Sequence, residues 1–477
     1  MKMLNMKKIL FYCSLMGGSY LANCQTNTLT LQQAVETGIK NNLEVKQSDL
    51  RMQTAAVNWK QSKANLFPSL QGFANHGINQ GRSIDPFTNA FVNQSINFAG
   101  YGLNTSVIIF NGLGIQSNIR QNALTYEATR LELQQEKDNL TLSIILAYLQ
   151  ALNNEDLLTQ SRNQAQVSTK QIERLEILSR EGAIPPAQLY DLKGQLANDE
   201  LSIVNNQNAT NAARLTLSQL MNVPFDKNIQ LEKLNIDQVS ANDSVTPEEI
   251  YKLALGQLAL VKAAQLRTQS AEKGIKAAKA EFYPTLSLGG NVNTNYSSGA
   301  NRDLFLNTTE ITTTQYVTIN GVKTPVISPK DNFDVQKIKY NEQLDNNLFT
   351  SVNLGLRIPL FNALQARSRV KLAQINQKSA EYVEQTTKTQ LSQAIEQAYF
   401  NMTAAQDRYR VLTDQVNAFK ESFRSAEIRF DEGVINSVDY IIAKNNLDRA
   451  NLNLISARYD YLLRNKIIDY YQVKPLW

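Results

Sequence analysis

Two stretches of this chain, Ile115–Glu181 and Leu360–Glu432, contain neither glycine nor proline. Those two residues are the least tolerated in a helix interior, so a run this long without either predicts one uninterrupted helix. At about 1.5 Å of rise per residue, the first run makes a rod roughly 100 Å long. Helices of that length need a partner along their whole side, as in a coiled coil or a tube of helices.

The apolar pattern says how they pack. Val416, Phe419, Phe423, Ala426 and Phe430 form a single stripe at alternating spacings of three and four residues. Near the end, Leu452, Ile455, Tyr459 and Leu462 run beside a second stripe of Leu447, Leu454, Tyr461 and Ile468. A helix with two seams has two neighbours, which favours a ring of helices. An antiparallel coiled-coil hairpin is the alternative and accounts for one stripe. The remaining Gln, Asn and Ser suit water on both an outer and an inner face.

The chain also repeats itself. At an offset of 216 residues "VKQSDLRMQ" (45–53) falls on "VKAAQLRTQ" (261–269), and Pro68 on Pro284. At an offset of 251, Phe110–Asn111 falls on Phe361–Asn362, Tyr148 on Tyr399, Asp156 on Asp407, and Glu181–Gly182 on Glu432–Gly433. The difference of 35 residues is an insertion beginning near Tyr296, rich in Thr, Asn and Gly and without helical period, which reads as a long exposed loop. Its shorter counterpart is about 80–102. The expected organisation is a signal segment over 1–24, a first repeat over 25–222, a linker over 223–246 and a second repeat over 247–477. Within the repeats, strands are expected at about 69–79, 103–111, 285–296 and 349–361. Long helices are expected at about 113–180, 186–221, 363–431 and 437–471.

Those strands decide the class. In "TSVNLGLRIPLF" (350–361), Val352, Leu354, Leu356 and Ile358 face one way, and Ser351, Asn353, Gly355 and Arg357 the other. "TLSLGGNVN" (285–293) alternates in the same way, and 69–79 and 103–111 do so more weakly. Nine to twelve residues is about what a tilted strand needs to cross a bilayer. A four-stranded soluble sheet with one wet face fits the alternation too. In lipid, an open four-stranded sheet would leave edge N–H and C=O groups unpaired at several kcal/mol each, so its strands must be pooled among subunits. "ANLFPSL" (64–70) and "AEFYPTL" (280–286) mark where a helix becomes a strand, at Pro68 and Pro284.

The N-terminus is a separate piece. Lys2, Lys7 and Lys8 precede an apolar run too short to span a bilayer as a helix, the pattern of an export signal. Removing its three lysines takes the net charge from +5 to +2, which excludes a basic nucleic-acid binder. Both cysteines, Cys13 and Cys24, lie in this segment. Cleavage after Cys24 frees Gln25, and lipidation of Cys24 is the alternative. Charged residues are 19% and mean hydropathy is −0.33, which excludes a bundle of membrane helices. The single histidine, His76, has no Cys or carboxylate cluster beside it in sequence, and no Gly-rich phosphate loop is present. No catalytic residue, metal or cofactor is expected.

Taken in order, the "FP" and "YP" exits, the re-entries "FNGLG" (110–114) and "PLFNA" (359–363), the "EG" turns and "LMNVP" (220–224) resemble the TolC-like outer-membrane factor family. The resemblance covers about residues 29–471. It implies a mixed all-α plus β-barrel fold: a duplicated unit of long antiparallel helices forming an α-helical barrel, with four transmembrane strands per chain closed as a trimeric twelve-stranded barrel. It implies a passive gated exit duct in the outer membrane of a Gram-negative bacterium, with a large periplasmic extension. The implied partners are a homotrimer, outer-membrane lipid, a periplasmic adaptor (membrane fusion) protein and an inner-membrane pump of RND or ABC type, serving efflux or type I secretion.

In that family the helix-turn tips close the tube and receive the adaptor. They map here to Gly182, Ala183 and Ile184, and to Gly433, Val434 and Ile435. The resemblance also implies a pore constriction at Asp439, whose equivalent in the first repeat is Gln188. The family's second constricting aspartate is replaced here by Ile442. Asp439 could equally be a solvated first-turn residue favoured by the helix dipole. A periplasmic coiled-coil scaffold or adaptor without a pore is the alternative for the whole chain, separable by whether the protein needs detergent for extraction.

Overall fold

A computed structural model describes residues 28–84, 89–93, 95–234 and 245–476. The proposed signal segment, with Cys13 and Cys24, lies outside the described residues, as does 235–244 of the linker. The chain divides into two units. One comprises Met1–Gln53, Glu127–Gln265 and Tyr382–Trp477, the other Thr54–Tyr126 and Leu266–Glu381.

The elements run β1 (Thr28–Leu29), α1 (Leu31–Asn41), α2 (Leu43–Ala64), β2 (Ser69–Asn79), β3 (Arg82–Ile84), β4 (Phe91–Asn93), β5 (Ile96–Phe110), α3 (Gly114–Arg180) and α4 (Pro186–Leu220). After β6 (Gln230–Leu231) the order begins again with α5 (Pro247–Gln257), α6 (Ala259–Lys279) and β7 (Thr285–Ser297). It continues with β8 (Asn301–Ile319), β9 (Val322–Lys337), α7 (Tyr340–Asn346), β10 (Phe349–Arg357), α8 (Gln365–Asp431) and α9 (Ser437–Tyr471). Helices α3 and α8 are 67 residues each, and α4 and α9 are 35 each.

The duplication reaches individual hydrogen bonds. Thr30 and Thr246 each close a capping box, with Gln33 and Glu249. Immediately after each first helix the backbone is extended at Asn42 (ψ 131°) and Leu258 (ψ 134°), so both entry helices break at the same place. At the exits, Phe67 N–H donates to Ala64 C=O at 2.9 Å and Tyr283 N–H to Ala280 C=O at 3.0 Å, each just before its proline. At the re-entries two successive residues are left-handed: Gly112 (φ 64°) and Leu113 (φ 63°), then Ala363 (φ 51°) and Leu364 (φ 63°). Glycine is required at 112, where a Cβ would come within 2.6 Å of Tyr283. Ala363 holds the same conformation at a cost of about 1 kcal/mol.

In the helical unit the main core gathers Ile144, Tyr148, Leu152 and Leu217 with Leu31 and Val35 of α1. Buried Tyr148 places its hydroxyl 2.8 Å from Leu29 C=O and 2.9 Å from Glu232 C=O, bracing the parallel β1–β6 pair. Asp156 accepts from Lys233, Arg458 and Tyr459 at 2.9, 2.6 and 2.7 Å.

In the other unit, β10-β7-β5-β2 form one antiparallel sheet. The insertion read as a loop is instead the hairpin β8–β9, turning at Asn320–Gly321 with both residues at positive φ. Asn-Gly between β-branched residues is a strong hairpin signal, and the Thr, Val and Ile around it supply strand propensity. Its shorter counterpart, also read as loop, holds β3, β4 and the first part of β5, so that strand begins at Ile96 rather than near 103. The last strand stops at Arg357, before Pro359, which cannot donate to a ladder.

Candidate functional site

Both helical tips are built by one device. After α3, Ala183 N–H donates to Leu178 C=O at 2.9 Å and Gly182 stands at φ 73°. After α8, Val434 N–H donates to Arg429 C=O at 2.8 Å and Gly433 stands at φ 72°. This is the helix-ending turn that glycine serves by its left-handed conformation. A Cβ at either glycine would meet nothing within 4 Å, so backbone conformation alone demands it.

Gly182, Ala183, Gly433 and Val434 are exposed, while Ile184 and Ile435 are half-buried against a core of Ile172, Leu175, Leu192, Phe430 and Tyr440. That core joins the α3/α4 hairpin to the α8/α9 hairpin, with Phe430 stacked on Tyr440 at 4.8 Å. Polar links reinforce it. Arg174 pairs with the Asp431 carboxylate and donates to the Asp431 carbonyl at 2.8 Å, and Ser437 donates to Asp191 at 2.8 Å.

Asp439 and Gln188 occupy the third position of α9 and α4, and Asp439 is exposed while Gln188 is half-buried. The Asp439 N–H donates to Asn436 Oδ1 at 2.9 Å, so its carboxylate sits at a capped helix N-terminus, where the dipole favours negative charge. At Gln188 the backbone N–H reaches Pro185 C=O at 3.2 Å, and Pro186 starts the helix.

Farther along the hairpins lies a charged cluster that sequence reasoning missed. Lys444, only 2% exposed, donates to Asp199 at 2.9 Å and Asp448 at 2.7 Å. Ser168 and Gln195 also donate to Asp199, at 2.6 and 2.8 Å. One lysine thus answers two aspartates across α3, α4 and α9. Burial holds the Asp448 carboxyl above the usual range, against the pull of Lys444. The only trace in the sequence is the spacing of four between Lys444 and Asp448, which in a helix rich in Asn reads as a solvated face.

The four-stranded sheet has two unlike faces. Across one, Gln71, Asn104, Asn291 and Ser351 pair in a single row; across the other, Val107, Leu288 and Leu354 do. The polar face is crowded: a Cβ on Gly102 would lie 2.5 Å from Phe73, one on Gly77 2.7 Å from Phe98, and one on Gly289 2.6 Å from Asn353. On the apolar face, Gly72 and Gly290 leave 3.3 and 3.2 Å. Pro68 and Pro284 sit one residue before β2 and β7. No described helix is long and apolar enough to cross a membrane.

A duplicated pair of long hairpins with paired strand exits is the arrangement of one known family, and its profile, described as Outer membrane efflux protein, matches residues 34–223 and 250–466. The chain belongs to that family. It is accordingly an outer-membrane efflux channel rather than an enzyme, placed in the Gram-negative outer membrane with a periplasmic extension. Toxin and drug export protein A of Aggregatibacter actinomycetemcomitans is 20% identical over 93% of this chain and 87% of its own. Outer membrane protein TolC of Salmonella enteritidis is 21% identical over 98% and 86%. Among solved structures, the outer membrane protein VceC of Vibrio cholerae matches with a TM-score of 0.71 at 15% identity, over 94% of this chain and 97% of that one. At that identity the likeness is one of fold.

Proposed function

We propose that three copies of this efflux protein pool their sheets into one twelve-stranded barrel. The chain then acts as the exit duct of a tripartite efflux or type I secretion system, opened by a periplasmic adaptor and an inner-membrane pump of RND or ABC type. The observation that carries this reading is the sheet order β10-β7-β5-β2, antiparallel at every step. Its outer strands therefore run in opposite directions, and β2 of one copy can pair antiparallel with β10 of the next all the way round a ring. Lipid would not tolerate either edge unpaired. Two copies would give eight strands, a barrel whose interior side chains fill. Three leave a passage, and the polar face is the one fit to line it.

At the tips, the exposed turns at Gly182–Ala183 and Gly433–Val434 are the surface offered to the adaptor, with Ile184 and Ile435 anchoring each turn. A trimer presents three Asp439 carboxylates as a ring that narrows the aperture and attracts cations, with Gln188 neutral at the matching position. Asp439→Ala tests this in planar bilayers. We expect conductance through the purified channel to rise and its preference for cations to fall. Unchanged conductance and selectivity would remove Asp439 from the aperture.

A further inference from the structure

We infer that Arg357 sets the charge preference of the barrel passage, drawing anions and opposing small cations. This rests on the trimeric duct proposed above. The four strands of the sheet contain no Asp, Glu or Lys; their ionisable side chains, tyrosines aside, are His76 and Arg357. On the apolar face this absence needs no special account, because a charge facing lipid at mid-bilayer costs about 2–4 kcal/mol. The polar face is under no such restraint, yet Ser, Asn, Gln, Thr and Gly fill most of it. Its side chains can hydrogen-bond a solute without selecting its charge.

Arg357 is the exception. It shares a face with Ser351, Asn353 and Gly355 by strand alternation, and the register pairs it with Thr285. His76 falls on the opposite face, two residues from Ala74 and opposite Ala99. Arg357 is exposed, at the end of β10 that lies beside the Pro284 joint. Glu281, just before that joint, is ion-paired with Arg369. Three copies therefore place three guanidinium groups around one level of the passage, with no carboxylate from the strands to offset them. Rings of fixed charge are the ordinary way a wide pore selects by sign, and arginine keeps its charge at every working pH. A ring at Asp439 attracts cations and a ring at Arg357 attracts anions, so their removal shifts selectivity in opposite directions.

The experiment is the reversal potential of the purified full-length channel in a planar bilayer under a potassium chloride gradient. Arg357→Gln is expected to raise the potassium-to-chloride permeability ratio by about twofold or more. Arg357→Lys should restore the wild-type ratio, and Asp439→Asn should move the ratio the other way with Arg357 in place or absent. An Arg357→Gln channel of normal conductance and unaltered ratio would overturn the assignment. Absence of any conductance in wild type and in Asp439→Ala would instead contradict the duct itself, and the role of Arg357 with it.

Discussion

Lys444 holds two aspartates together in a nearly dry site, and its value shows most clearly when it is taken away. Lys444→Met would leave buried Asp199 and half-buried Asp448 without a cation, and breaking a buried pair in this way costs about 3–5 kcal/mol. The pH dependence has a definite sign. The Asp448 carboxyl already stands above its unfolded value of 3.8. A carboxyl raised on folding contributes stability that is complete below the unfolded value and is lost as pH rises through the folded one. Removing Lys444 raises it further. The helical circular-dichroism melt of Lys444→Met should therefore fall well below wild type near pH ~7 and approach it near pH ~4. An equal deficit at both would mean the lysine acts by packing alone. This cluster was illegible in the sequence because Asp199 and Ser168 lie far from Lys444 in the chain, and only folding makes them neighbours. Asp439 and Gln188, by contrast, could be placed by counting from the tip glycines.

At the scale of the element, conformation rather than contact explains the tips, and glycine substitutions separate the two. Gly182→Ala and Gly433→Ala put a side chain into open space but into the left-handed region, at about 1 kcal/mol each. Gly194, exposed inside α4 and also without neighbours within 4 Å, has no such restraint. Gly194→Ala should stabilise by about 0.5–1 kcal/mol. The same substitution thus changes sign with position, and a melt in which all three moved alike would contradict the turn geometry. The two 67-residue helices were legible because no Gly or Pro falls in their interiors. The hairpin β8–β9 was not. Its Thr- and Asn-rich composition has the polarity of a loop, and its Asn-Gly turn carries strand meaning only when weighed with the β-branched residues on either side. The breaks at Asn42 and Leu258 were announced only by Gly38 and Gly256, single glycines that helices also tolerate.

For the whole molecule, the duplication and the open sheet edges belong to one account. A chain that builds the same exit, re-entry and tip twice presents two strand pairs to one sheet and two helical hairpins, yet among the described residues the β2 and β10 edges of that sheet remain unpaired within one copy. Membrane burial makes that arrangement untenable for a lone chain. The doubled order of long helices and strands was legible in the sequence through the repeat offsets and strand alternation. The number of copies was not, since edge pairing is satisfied by any closed ring and only the width of the passage argues for three. The most direct test is the native mass of the protein extracted from the outer membrane in mild detergent, corrected for bound detergent. The account predicts three mature chains; a single chain, or protein recovered without detergent, would contradict it.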